Sequence, residues 1–315
     1  MNVIFLGTPE FAISSLETLL KTPWIKVLAV CTQIDKEAGR GKELKEPPVK
    51  QFALKNNLPV LQSEKISREK ETIQKLKDLN PDILITCAYG QILNEEMLNL
   101  APHSIINVHA SLLPKYRGAA PINWAILNGE SETGITIMKT ELGLDSGPII
   151  LVEKCKIDEN ETSTELSKKL SLVGAKTLIS ALELIKDGKV KFTPQDNSKA
   201  TKAPSLKKEL GLIDWSKSTK DIHNKIRGLQ PWPSAFTHFN EKTVKIWDSR
   251  VAINCDSGDN KNSLPGTIVK IGDLVKVKTG DGYLDIYKIQ PENKKIINVK
   301  DWVNGARVQV GDKFG

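Results

Sequence analysis

The chain has 315 residues, of which 39% are apolar and 26% charged, and carries a net charge of +7; this is the composition of a soluble globular protein with room for two domains. No apolar run approaches the roughly 18–20 residues that span a bilayer, and Met1-Asn2-Val3-Ile4-Phe5-Leu6 lacks a basic leader and runs straight into a strand pattern, so neither a membrane anchor nor a signal peptide is expected. Cys31, Cys87, Cys155 and Cys255 lie far apart, with no C-x-x-C pair and no histidine at ligand spacing, so the expectation is no metal, no disulfide framework and a cytoplasmic home.

Asn2–Gly7 reads as a buried strand ending at a glycine. Thr8-Pro9-Glu10 then offers a helix start, with Thr8 as cap and Pro9 at the first helical position, for a helix Glu10–Lys21. Lys26–Thr32 is a second strand, so the opening is β-α-β, the doubly wound pattern. Gly7 stands alone, without G-x-G-x-x-G, and a dinucleotide site is not expected. Gln33 to Pro48 interrupts the pattern with Gly39-Arg40-Gly41-Lys42, a long basic insertion that reads as a mobile loop closing on an anionic partner. Helices follow at Val49–Asn56 and Ser67–Leu79, then a strand over Pro81–Ala88 that leaves through the loop Tyr89-Gly90-Gln91-Ile92-Leu93. After the strand at Ile105, a helix runs from about Ala119 to Ile126, strands at Gly134–Lys139 and Gly147–Glu153 flank an Asp145 loop, and Thr162–Lys186 is a long amphipathic helix.

Val190–Pro204 has no clear period and reads as a linker. Beyond it, a helix Ser218–Leu229 precedes short β-like runs (Val244–Trp247, Gly266–Ile271, Leu274–Thr279, Tyr283–Ile289), the pattern of a small barrel. Trp215 and Trp232 read as packing residues rather than base-stacking platforms. From Leu206 to the end the chain has 19 Lys and Arg against 13 Asp and Glu, whereas the preceding residues have 26 against 25. A near-neutral large part and a basic smaller part suggest that the smaller one meets a polyanion, with a merely solvated basic surface as the alternative. The expected fold is α/β: a Rossmann-like, doubly wound, mostly parallel sheet over 1–189, a linker over 190–205 and an OB-like β-barrel over 206–315.

The stretch with chemical content is Ile105-Ile106-Asn107-Val108-His109-Ala110-Ser111-Leu112-Leu113-Pro114-Lys115-Tyr116-Arg117-Gly118, together with Leu144-Asp145-Ser146-Gly147. On a strand Asn107 and His109 project to one face, and two polar groups on one face of a buried strand end are costly unless paired or used. Taken alone, each feature is more often an ordinary turn or a satisfied structural pair. Used together, Asn offers a neutral N–H donor for an oxyanion, His can donate to it or move a proton, and a carboxylate beside the imidazole would orient it and favour its protonated form. No Ser or Cys stands in an evident activation context, so direct transfer fits better than a covalent intermediate.

These residues resemble the signature of the folate-dependent formyltransferases. The likeness extends to Gly7-Thr8-Pro9-Glu10-Phe11-Ala12, the Gly39–Lys42 insertion with Pro47-Pro48-Val49-Lys50, Ala88-Tyr89-Gly90-Gln91-Ile92, and Arg227-Gly228-Leu229-x-Pro231-Trp232-Pro233, so it spans nearly the whole chain. It implies a first domain that binds 10-formyltetrahydrofolate, with Ser111, Leu112, Leu113 and Pro114 and the loop Tyr89, Gly90, Gln91, Ile92 around the pterin. It implies Asn107 and His109 as oxyanion donors, Asp145 as the group that orients His109 and assists proton transfer, and no metal. It further implies an initiator methionyl-tRNA partner, with Arg40 and Lys42 against the acceptor stem and the basic second domain on the tRNA backbone; a monomer is expected, though not from the resemblance. Siblings that formylate a sugar-nucleotide amine or a small amine of purine synthesis are the near alternatives, and a non-catalytic RNA-binding protein the distant one. The basic insertion and the second domain argue against the siblings.

Overall fold

The computed structural model describes residues 1–38, 43–252 and 263–315. In chain order these form β1 (Asn2–Gly7), α1 (Ile13–Lys21), β2 (Lys26–Gln33), β3 (Lys36–Ala38), β4 (Glu43–Lys45), α2 (Pro48–Lys55), β5 (Val60–Ser63), α3 (Lys70–Asp78), β6 (Ile83–Cys87), α4 (Glu95–Leu98), β7 (Ile105–His109), α5 (Pro121–Leu127), β8 (Glu132–Lys139), β9 (Ile149–Lys156) and α6 (Ser163–Lys186). There follow α7 (Thr219–Gly228), β10 (Ala235–Phe239), β11 (Lys242–Val251), β12 (Ile268–Ile271), β13 (Val275–Lys278), β14 (Tyr283–Pro291), β15 (Ile297–Asn298) and α8 (Val299–Ala306). The chain divides into two compact units, one of Met1–Pro121, Glu132–Lys156 and Ser167–Pro204, the other of Ile122–Ser131, Ile157–Leu166 and Ser205–Gly315.

The first unit is built on a seven-stranded sheet in the order β5-β2-β1-β6-β7-β8-β9. The strands from β5 to β7 pair in parallel, while β8 and β9 add in antiparallel fashion. Parallel strands covered on both faces must be apolar nearly throughout; accordingly Val3–Leu6 and Ile83–Ile85 are fully buried. From β1 the chain winds outward through β2 to β5, then returns to the other side of β1 for β6 and β7. The topological switch therefore lies between β1 and β6, and loops at the carboxyl ends of strands beside such a point form ligand sites in open α/β sheets. Gly7 closes β1 because a Cβ there would stand 2.7 Å from the Phe5 ring and 2.9 Å from Ala12 Cβ. The glycine serves close packing, in keeping with the absence of a phosphate fingerprint.

Several local expectations are corrected. Thr8 does not cap a helix: its hydroxyl donates to the Tyr89 carbonyl (2.9 Å), tying the ends of β1 and β6 together, and the helix start is a short 3-10 turn at Glu10–Ala12. The insertion after β2 is not wholly loop, since β3 and β4 pair as a hairpin; Arg40 and Lys42 lie outside the described residues. Strands β5, β10 and β15 and helices α4 and α8 were not expected from the pattern. The segment 190–204 is bonded to the first unit along its length, through Thr193 to Ile149 and through Thr201 and Ala203 to Arg117. Helix α6 begins as expected, with a reciprocal capping box in which Thr162 N–H donates to Glu165 Oε2 (2.8 Å) and Glu165 N–H to Thr162 Oγ1 (3.3 Å).

The second unit carries an antiparallel sheet in the order β10-β11-β14-β13-β12, with β15 paired to β14. Its core gathers Ile222 and Ile226 of α7, Val244, Ile246, Val275, Val277, Leu284 and Ile286 of the sheet, and Trp302 and Val303 of α8. Trp215 is packed in this core, whereas Trp232 is 57% exposed, so the packing expectation holds for the first tryptophan and not the second.

Buried His223 has Nδ1 3.0 Å from Ser249 Oγ and donates from Nε2 to the Glu159 carbonyl (3.2 Å), a pattern that satisfies the neutral ring. Burial pushes its pKa down from 6.5 to about 4. Between those values the unfolded chain holds a proton that the folded chain does not, so stability is full above pH 6.5 and falls as pH drops towards 4. Denaturant unfolding should show about 3 kcal/mol less stability from this group at pH 4 than at pH 7, and a His223→Gln variant should lose less over that interval. An equal loss in both proteins would remove His223 as its source.

Candidate active site

Strand β7 alternates its faces as its sequence dictates: Val108 turns towards α6, where an added Cβ at Gly174 would meet its Cγ1 at 3.1 Å, and Ile105 joins the core on the opposite face. Asn107 and His109 share the face of Ile105 by strand parity. Both reach Asp145. His109 Nδ1 stands 3.6 Å from Asp145 Oδ2, and Asn107 Nδ2 donates weakly to Asp145 Oδ1 at 3.5 Å. The far nitrogen of His109, Nε2, is 3.0 Å from the Tyr116 carbonyl, which can only accept, so Nε2 carries a proton and Nδ1 faces the carboxylate.

Each group is oriented by a further partner. The Thr86 hydroxyl, on the neighbouring strand and in register with Asn107, donates to Asn107 Oδ1 (2.9 Å), which fixes the amide with its N–H side towards Asp145. Gly118 N–H donates to Asp145 Oδ2 (2.8 Å). Strand β8 enters the Asp145 loop opposite Ile106, the amino-terminal side of β7, so the loop has to double back along β7 to deliver the carboxylate to His109. A glycine is required in that turn: a Cβ on Gly147 would stand 1.9 Å from the Lys139 carbonyl. The side chains of His109 and Asp145 are 6% and 14% exposed, so water screens the pair poorly. An amide N–H, an imidazole and a carboxylate so placed can stabilise an oxyanion and relay a proton.

The two loops expected around a ligand leave the carboxyl ends of adjacent strands, β6 and β7. In the second of them, Ser111 Oγ donates to the Lys115 carbonyl (2.6 Å), the Ser111 carbonyl accepts from Thr136 Oγ1 (2.7 Å), Leu113 N–H donates to that same hydroxyl (3.1 Å), and the Pro114 carbonyl accepts from Thr201 N–H. Ser111 is thus spent on loop shape; Leu112 is half-buried and Leu113 buried. In the first loop, Gln33 Nε2 donates to the Tyr89 and Gly90 carbonyls. The Gln91 amide is engaged with Ser63 O and Ile66 N–H, so this side chain shapes the loop rather than facing solvent. Tyr89 is buried, its hydroxyl lacks a hydrogen-bond partner among the described residues, and burial pushes its pKa up. Ile92 on the first loop and Leu144 on the Asp145 loop leave the fold 84% and 67% exposed, as apolar surface.

Sequence reasoning missed Thr86, Gln33 and Gln195. A polar residue on the next strand in register with Asn107 was a usable signal for Thr86; nothing local marks the two glutamines. Cys31 and Cys87 are buried free thiols pushed up to about 12 by burial, which leaves them unreactive. Cys255 lies outside the described residues. No helix among the described residues is long and apolar enough to cross a membrane.

An open α/β sheet with an amide, an imidazole and a carboxylate gathered at the end of an inner strand, in one chain with an antiparallel β unit, defines a two-unit enzyme of the Rossmann-like class. Residues 1–182 match the formyl transferase family and residues 205–307 the formyl transferase C-terminal domain family, and the chain belongs to the formyl transferase family. Methionyl-tRNA formyltransferase of Ruminiclostridium cellulolyticum is 44% identical over 316 residues, and that of Acetivibrio thermocellus 45% identical over 316 residues, each alignment covering 100% of both chains. Among solved structures, WlaRD, a sugar 3N-formyl transferase crystallised in the presence of dTDP and 5-N-formyl-THF, superposes with a TM-score of 0.68 over 94% of this chain and 99% of that one. At 21% identity it shows the fold alone.

Proposed function

We propose that this chain transfers the formyl group of 10-formyltetrahydrofolate to the free amino group of methionine on initiator methionyl-tRNA, giving N-formylmethionyl-tRNA for translation initiation. The carrying observation is the Asn107–His109–Asp145 cluster in a chain that aligns end to end with two relatives of that name. The folate supplies an activated formyl carbon; the loops Tyr89–Ile92 and Ser111–Pro114 would hold it, and exposed Ile92 and Leu144 fit an aromatic ring. Asn107 Nδ2–H donates to the formyl oxygen as it gains charge during attack by the amine, and His109 joins it when its Nε2–H exchanges the Tyr116 carbonyl for that oxygen. Asp145 holds the imidazole in place and takes part in moving the amine proton towards the departing folate nitrogen. All of this is transfer between two bound substrates, without a covalent intermediate on the protein and without a metal.

The partner assignments rest on the family resemblance, and the charge agrees with them. The surplus of 19 cationic over 13 anionic side chains beyond residue 205 suits a phosphate backbone, and Arg40 and Lys42 are assigned to the acceptor stem. In this scheme residues 1–189 carry catalysis, 190–205 connect and 206–315 bind tRNA, in a cytoplasmic monomer. The test is formyl transfer from formyltetrahydrofolate to methionine charged on initiator tRNA, with charged elongator tRNA as control. Transfer to the initiator should be faster by orders of magnitude and should weaken steeply as salt rises. Transfer to neither, with folate still bound, would direct the reaction to a small amine acceptor.

A further inference from the structure

Gln195 lies in the aperiodic stretch after α6, yet its amide uses every hydrogen-bonding valence it has. Nε2 donates to the Asp145 carbonyl (2.9 Å) and the Gly147 carbonyl (2.7 Å), while Oε1 accepts from Arg117 Nε (3.1 Å) and Nη2 (2.7 Å). A primary amide offers two donors and two acceptor lone pairs, so none is left over. Three segments are joined by this one side chain: the Asp145 loop, the Arg117-Gly118 turn after β7, and the stretch 193–203. The same stretch also holds the other side of the site, because Thr201 Oγ1 accepts from Tyr116 N–H (2.9 Å) and the Tyr116 carbonyl accepts from His109.

The backbone shows why such a clasp is needed. Asp145 sits at φ +47°, in the left-handed region that favours glycine. Such conformations persist only where the surroundings over-determine them. The Asp145 carbonyl is held by Gln195 and its carboxylate by Gly118 N–H, so backbone and side chain are pinned from opposite ends.

We infer that Gln195 is a positioning residue for the transfer reaction: through its two N–H donors it keeps the Asp145 loop in the conformation that places the carboxylate against His109. The inference rests on the catalytic reading proposed above. Two variants separate this role from mere loop bracing. Gln195→Glu keeps the acceptor for Arg117 and deletes both donors to the Asp145 loop; Gln195→Met deletes both halves. A displacement of about 1 Å at a reacting group costs roughly 100-fold in rate, so both variants should lose kcat by about that factor, with KM for both substrates within about twofold of wild type. The ring resonances of His109 in the substrate-free protein should move in both variants, a readout that needs no knowledge of the acceptor and so survives failure of the tRNA assignment. Wild-type kcat and unmoved His109 resonances in Gln195→Glu, with Gln195→Met impaired, would overturn the inference and leave Gln195 as an anchor for Arg117.

Discussion

Replacing Asp145 with asparagine is expected to lower kcat for formyl transfer by about 10³-fold while KM for folate and tRNA changes little. The substitution is nearly isosteric, and its oxygen can still accept from Gly118 N–H, now 2.8 Å from Oδ2. What disappears is the negative charge 3.6 Å from His109 Nδ1. The role proposed for that charge, in a site this poorly screened, is to compensate positive charge on the ring while the oxyanion forms. Substituting His109 with alanine should cost a similar factor, and Asn107→Ala about 10²–10³-fold, the range for removal of one oxyanion donor. On the proposed roles, in which Asp145 acts through His109, the double variant should be scarcely slower than the worse single one. Single-turnover rates for the four proteins decide the matter. Independent, multiplying losses would break the proposed division of labour.

The largest stability effect is expected at Trp215. Its ring is 5% exposed and stacks on Phe314 with centroids 5.5 Å apart, Phe314 stacks in turn on Trp302 at 5.7 Å, and Phe239 meets both rings edge-on. Nε1 donates to Thr237 Oγ1 (3.0 Å), so the one polar atom of the indole is satisfied inside the core. Truncation to alanine removes the aromatic contacts and leaves a cavity that the β-strands cannot collapse upon, at a cost of about 4 kcal/mol. Trp215→Phe retains most of the packing and should cost about 1–2 kcal/mol, the lost hydrogen bond included. Urea unfolding of the three proteins measures both. Equal stability of the wild type and the alanine variant would mean that the aromatic stack contributes nothing to this unit.

Legibility in the sequence followed the range of the interactions. Strands β1, β2, β6 and β7 are dense apolar runs, and helix α6 shows both an amphipathic period and a capping box, so local pattern found them all. Strand β5 is only Val60–Ser63, half polar at its end, and α8 is interrupted by charges, so neither stands out. The pairing of Asn107 with His109 was readable because strand geometry puts i and i+2 on one face. The Asp145 loop is legible as a turn between two strands, but nothing local places its carboxylate at His109, since the loop doubles back over β7. Trp232, expected to pack, is 57% exposed, since a large aromatic side chain reads the same whether or not a core lies over it.

By itself the sequence determined the apolar runs that must be buried, the alternation that sets two polar side chains on one face of β7, and the basic surplus of the last third of the chain. Each follows from covalent geometry or composition within a few residues. Tertiary structure alone decided that Thr86 orients Asn107, that Gly118 lends its N–H to Asp145, and that Gln195, 50 residues from Asp145, clasps the loop carrying it. A serine, threonine or glutamine is written the same way whether it points to water or fills the last valence of a distant loop; strand order and register settle which, and they are properties of the whole sheet.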